Sequence, residues 1–81
     1  MDDKIKEFRD YRNRMNERIL ASGNKVIKRI YNTDMNTYMD GALSARVKEM
    51  LGLATSMVLR CDDCIKYHLE KCYEQGVTTE E

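Results

Sequence analysis

The sequence predicts an all-α fold, a compact bundle of about four to five helices, and three observations carry that reading. No proline occurs in the 81 residues, so nothing imposes the break that proline forces inside a helix. Gly23, Gly41 and Gly76 fall between periodic apolar stretches rather than inside them. Within those stretches apolar side chains recur at three- and four-residue steps, and no alternating pattern of useful strand length appears.

The elements follow in order. Ile5, Phe8, Tyr11, Met15 and Ile19 place an apolar stripe along the first helix. Gly23 is its expected stop and Asn24 the cap of the next. The second segment carries Val26, Ile27, Ile30 and Tyr31. Asn32-Thr33-Asp34 then reads as a break with a new cap, followed by a short segment with Met35, Tyr38 and Met39 that ends at Gly41. Ser44 is a good N-cap for a third helix. After Glu49 no charge appears until Arg60, and a helix of that texture is expected to be buried on several sides. Val47, Met50, Leu51, Ala54 and Val58 form one of its faces; Glu49 aligns with Gly52, Leu53 and Ser56 on the other, where small residues permit close approach. The fourth helix ends at Gly76. The whole is expected to be one domain, residues 1–81.

Composition narrows the function. Net charge is zero, with acids and bases interspersed, and clusters such as Arg9, Arg12 and Arg14 are diluted by acids; nucleic acid and anionic membrane are poor partners for such a surface. No apolar run approaches the length of a membrane span, and the first residues lack a signal-peptide pattern. Three cysteines cannot form two intramolecular disulfides, which argues against a secreted stapled framework. A cytoplasmic protein with reduced or cycling thiols is expected.

The chemistry concentrates in the fourth helix. Cys61-Asp62-Asp63-Cys64-Ile65-Lys66-Tyr67-His68, with Cys72 one turn further, holds every cysteine and the sole histidine. At about 100° per residue Cys61, Cys64, Ile65, His68, Leu69 and Cys72 share one face, and Asp62, Asp63, Lys66, Glu70 and Glu74 the other. Cys64 and His68 are an i, i+4 pair with Cβ atoms about 5–6 Å apart. Cys61 and Cys64 are spaced to close a disulfide across the first turn, where a helix N-terminus favours a thiolate. If helices three and four form a hairpin near Leu59-Arg60, Glu49 lies roughly 15 Å back from the turn and His68 roughly 12 Å forward, so the two come level. A relay then follows in which Glu49 orients His68 and His68 takes the Cys64 proton.

Two other readings compete with redox chemistry. Cys61, Cys64, His68 and Cys72 superficially supply four zinc ligands, but on a continuous helix Cys61 and Cys72 stand about 16 Å apart, whereas zinc–sulfur bonds are about 2.3 Å; a three-ligand site of Cys61, Cys64 and His68 stays open. A helical scaffold or binding module with inert thiols and a satisfied core histidine is the other alternative.

Lys48-Glu49, the uncharged run to Leu59-Arg60, and the Cys61–His68 stretch resemble the signature of the alkylhydroperoxidase D-like branch of the carboxymuconolactone decarboxylase family. The similarity extends back through Tyr38-Met39-Asp40-Gly41-Ala42-Leu43-Ser44. It implies an all-helical fold that assembles into trimers or hexamers, and peroxidase or disulfide-reductase activity without a metal or other cofactor. It further implies Cys64 as the peroxidatic thiol, Cys61 as the more accessible resolving thiol, and Glu49 and His68 as proton relay. A dithiol such as lipoamide, or a thioredoxin-like partner, would supply reducing equivalents. Decarboxylases of the family lack the cysteine pair, so its presence argues against decarboxylation. Some peroxidase members carry a histidine immediately before the second cysteine, where this chain has Asp63. Members usually continue through another helix, which is expected to be missing here; Thr78-Thr79-Glu80-Glu81 has the pattern of an N-cap and first turn.

Overall fold

A computed structural model describes residues 3–81. The described residues form four helices and no strand: α1 (Asp3–Ala21), α2 (Lys25–Thr37), α3 (Ala45–Val58) and α4 (Asp62–Glu74). The all-α expectation holds. The chain divides into two units, one ending at Thr37 and the other running from Tyr38 to Glu81.

In the first unit α1 and α2 pair through a tight connection. Gly23 adopts φ 74°, which only glycine enters without penalty. Asn24 then caps α2 as expected, its Oδ1 accepting the Val26 and Ile27 amides at 2.9 and 3.1 Å. Tyr31 donates its hydroxyl to Asn16 Oδ1 at 3.2 Å across the pair. On the exposed side of α1, Lys6 and Asp10 form an i, i+4 pair at 2.7 Å, and this bond holds the Asp10 carboxyl below its ordinary range.

The expected break at Asn32-Thr33-Asp34 does not form. Helix α2 continues to Thr37, so Met35 belongs to it, while Tyr38 and Met39 lie in the following loop. Asn, Thr and Asp compete with helix only when their side chains bond the backbone in non-helical turns. Here Thr37 donates its hydroxyl to the Thr33 carbonyl at 2.7 Å and Asn36 donates to Asn32 Oδ1 at 2.7 Å, both one turn back and compatible with helix.

The second unit is a hairpin of α3 and α4 with the Tyr38–Ser44 loop fastened to it. Ser44 caps α3 as expected, accepting the Val47 amide at 3.2 Å, and Asp40 accepts the Ala45 amide at 2.7 Å. Lys48 reaches back to the Met39 carbonyl at 2.7 Å. At the far end α3 closes in a Schellman motif: the Arg60 amide bonds Met57 O and the Cys61 amide bonds Ser56 O, each at 3.1 Å. Arg60 takes the left-handed position at φ 56°. The same motif ends α4, with Gly76 at φ 76°. Beyond it Thr78 and Glu81 form the reciprocal pair of a capping box, and Glu81 also pairs with Arg46.

Burial in α3 differs from the expectation of cover all round. Glu49 and Ser56 are its buried residues, whereas Leu51, Met57 and Val58 are exposed at 54, 55 and 82 %. Helix α4 packs on the face whose residues are small, because there its backbone approaches closest. Glu70, assigned by periodicity to the solvent side of α4, is also buried.

Candidate functional site

Helices α3 and α4 bring Glu49 and His68 together. The Glu49 carboxylate and His68 Nδ1 are 2.8 Å apart, both residues are buried, and no buried polar side-chain atom among the described residues lacks a hydrogen-bond partner. The hairpin aligns them as the axial rise predicts. An ionised carboxylate only accepts, so opposite one the bonding proton sits on Nδ1, and in the neutral form of the ring Nε2 is then the bare nitrogen. Tyr38 and Tyr67 flank the imidazole, with ring centroids 5.4 and 5.1 Å away; Tyr67 meets it edge-on at 76°. Two bonds fasten the loop after Tyr38 to α3, Asp40 accepting from the Ala45 amide and the Met39 carbonyl accepting from Lys48.

One turn before His68, Cys61 and Cys64 are joined in a disulfide with Cα atoms 5.2 Å apart. Cys61 is both the residue that closes the Schellman motif of α3 and the N-cap of α4, so the turn fixes its backbone on both sides. Cys61 is half-buried and Cys64 exposed. By whole-residue exposure this differs from the expectation that Cys61 is the more accessible of the two; the Cys61 amide is bonded to the end of α3. Among the described residues no hydrogen bond joins His68 to either sulfur. In the oxidised pair neither sulfur carries a proton for the imidazole to take.

Cys72 stands apart from this pair as a buried free thiol. Burial, with the Glu49 charge second, raises its pKa above the ordinary thiol value; Arg46 opposes the shift. Among the described residues no group of His, Cys, Asp and Glu has a geometry that would hold a metal ion. No helix among them is long and apolar enough to cross a membrane.

Sequence reasoning identified Glu49, Cys61, Cys64 and His68 but not the residues that seat them. Ser56 binds twice, its hydroxyl to Gly52 O at 2.6 Å and its carbonyl to the Cys61 amide at 3.1 Å, which links the histidine level of α3 to the cysteine turn. Its signal was a small polar residue on the Glu49 face. Tyr38 carried no signal beyond its place in the lead-in stretch.

This disulfide beside a buried carboxylate–imidazole pair on a helical hairpin defines the class. The chain belongs to the carboxymuconolactone decarboxylase family, whose profile matches residues 24–81. It is similar to a crystal structure of TM1620 from Thermotoga maritima, at 45 % identity and TM-score 0.90, over 94 % of this chain and 67 % of that one. A second crystal structure of TM1620 is described as a family protein with a suggested involvement in antioxidative response; it matches at 42 % identity and TM-score 0.85, over 91 % and 62 % of the two chains. The chain thus spans about two thirds of the length of those it matches. Comparison with curated proteins gave no match.

Proposed function

We propose that the protein is a thiol-dependent oxidoreductase of a reducing, cytoplasmic compartment, acting as a peroxidase of the alkylhydroperoxidase type or as a disulfide reductase. The observation that carries this reading is the buried Glu49–His68 bond placed one turn from the Cys61–Cys64 disulfide. The antioxidative description of TM1620 supports the same direction.

In the reduced protein His68 Nε2 takes the Cys64 proton, directly or through one water, and Glu49 stabilises the imidazolium. The Cys64 thiolate attacks the near oxygen of a peroxide, the O–O bond breaks, and the imidazolium returns its proton to the departing alkoxide. Cys64 is left as a sulfenic acid and the peroxide as an alcohol. The Cys61 thiol displaces hydroxide from that sulfur, giving the disulfide and water. A dithiol, small or carried on a lipoyl or thioredoxin-like partner, then reduces the pair: its thiolate attacks the sulfur of Cys64, the more exposed residue, and expels Cys61 at the α4 N-terminus, where the helix dipole favours a thiolate. The dithiol's second sulfur closes its own disulfide and frees Cys64. Assembly into a homo-oligomer, a trimer or hexamer, belongs to the same proposal, since Leu51, Met57 and Val58 on α3 are exposed.

The test is peroxide consumption coupled to a dithiol. Wild-type protein turns over, Cys64→Ser does not, and Cys61→Ser stalls after one equivalent with a trapped sulfenic acid. Undiminished turnover in Cys64→Ser refutes the assignment, and absence of turnover and of disulfide exchange in the wild type favours a scaffold with inert thiols. Sedimentation velocity checks the assembly, and a monomer at tens of micromolar rejects it.

A further inference from the structure

Gly52 lies inside α3, one turn after Glu49, and its φ is not in the left-handed region. Backbone freedom therefore does not explain it, and a helix-interior glycine is less stable than alanine there. The explanation lies across the hairpin. A Cβ at residue 52 would stand 2.6 Å from His68 Cε1, 2.8 Å from Nδ1 and 3.0 Å from Nε2, against ordinary contacts that begin at 3.4 Å. All three atoms are ring atoms, so no flexible side-chain end can swing away; the imidazole occupies the space a Cβ would fill. The ring thus lies over Gly52, while Nδ1 meets the carboxylate of Glu49, one turn earlier on the same helix.

We propose that Gly52 is a positioning residue for His68: its missing side chain is the seat of the imidazole, and that seat holds Nδ1 in bonding register with Glu49 and leaves Nε2 as the free nitrogen. Relief of a 2.6 Å contact needs a displacement of about 0.8 Å, the difference between 2.6 and 3.4 Å. A displacement of that size away from Glu49 lengthens the 2.8 Å bond beyond hydrogen-bonding range. The ring can escape in the plane of the hairpin or α4 can lift from α3; either loosens the pair. The consequence for turnover rests on the relay proposed above, whereas the seat itself does not.

His68 is the sole histidine, so the two imidazole nitrogens give an unambiguous pair of ¹⁵N resonances. In native protein above the imidazole titration these resonances are well separated, Nδ1 protonated and Nε2 bare. In Gly52→Ala they converge as the two tautomers exchange. A Gly52→Ala protein that keeps the single Nδ1–H tautomer overturns the proposal whether or not the protein consumes peroxide. The kinetic arm reads disulfide formation on peroxide addition, which slows on the order of 10- to 100-fold in Gly52→Ala through misplacement of the base. If wild-type protein does not react but its tautomer is fixed and lost in the variant, the functional reading falls and the seat stands.

A pair of thermal midpoints covers the case in which Gly52→Ala folds poorly. Gly52→Ala lowers the midpoint of the wild type but raises that of His68→Ala, where the ring is absent and alanine favours the helix. Equal losses in both backgrounds overturn the proposal, because some neighbour other than the imidazole would then demand the glycine.

Discussion

Removing the Glu49 carboxylate is the perturbation whose size follows most directly from the geometry. The Glu49–His68 bond is 2.8 Å long, and the two side chains are 7 and 11 % exposed, so solvent cannot replace either partner without opening the hairpin. Hydrogen bonds to charged groups contribute about 1.5–3 kcal/mol, and a donor left buried without a partner is destabilising by about 1–3 kcal/mol. Glu49→Leu, which keeps the bulk and removes the acceptor, is therefore expected to destabilise the second unit by about 2–3 kcal/mol. Glu49→Gln retains an acceptor for Nδ1–H and loses only the charge, at about 1 kcal/mol. A double-mutant cycle of Glu49→Leu with His68→Leu isolates the pair, and its coupling energy should be about 2 kcal/mol, a factor of about 30 in the folding equilibrium. Urea denaturation followed by circular dichroism, on oxidised protein throughout, supplies the four free energies. A coupling energy under about 0.5 kcal/mol falls within the additivity expected of independent sites and refutes the argument that the bond holds α3 to α4.

Cys72 is expected to resist alkylation: its raised pKa keeps the thiol neutral through pH 8, and its burial excludes the reagent. After reduction, iodoacetamide at pH 8 should modify two thiols quickly and the third only in denaturant, with mass mapping of Cys72 as the check. Arg60 holds the left-handed position of the α3 Schellman motif, so Arg60→Gly should stabilise by about 0.5–1 kcal/mol, the left-handed penalty of about 1–2 less the added chain entropy of about 0.5–1 kcal/mol; a lowered urea midpoint rejects this. Glu81 is lowered to about 2 from its ordinary 4.5, first by the hydrogen bond to Arg46 and then by those to Thr78. A depressed carboxyl stabilises the fold above 4.5 and loses that contribution as the pH falls towards 2, so Glu81→Gln should flatten the pH dependence of the urea midpoint across that window and leave it alone between pH 5 and 7.

The sequence reading succeeded where a property was local. Asn24 and Ser44 caps and the Gly23 and Gly76 stops each depend on a few neighbouring residues, and each forms; of the N-cap and first turn expected at Thr78–Glu81 the reciprocal bonds form without a helical turn. It failed at Asn32-Thr33-Asp34, where turn-forming side chains found bonds one helical turn away, and at the outer face of α3, whose apolar side chains carry no information about what covers them. The relative exposure of the two cysteine residues also differs from its expectation, Cys61 being half-buried where its amide bonds the end of α3.

The sequence by itself determined four chemical groups and their spacing: a carboxylate at 49, thiols at 61 and 64, an imidazole at 68. Helical periodicity is enough to place Cys64 and His68 on one face, and helical rise enough to bring Glu49 level with His68, since both are properties of the backbone. Which atoms meet was decided only by tertiary structure. The bond from His68 Nδ1 to Glu49 depends on how closely two helices approach, and that approach is set by the absence of a side chain at Gly52. A glycine in a helix looks like a weakness in one dimension; across the hairpin it is the space in which the imidazole sits.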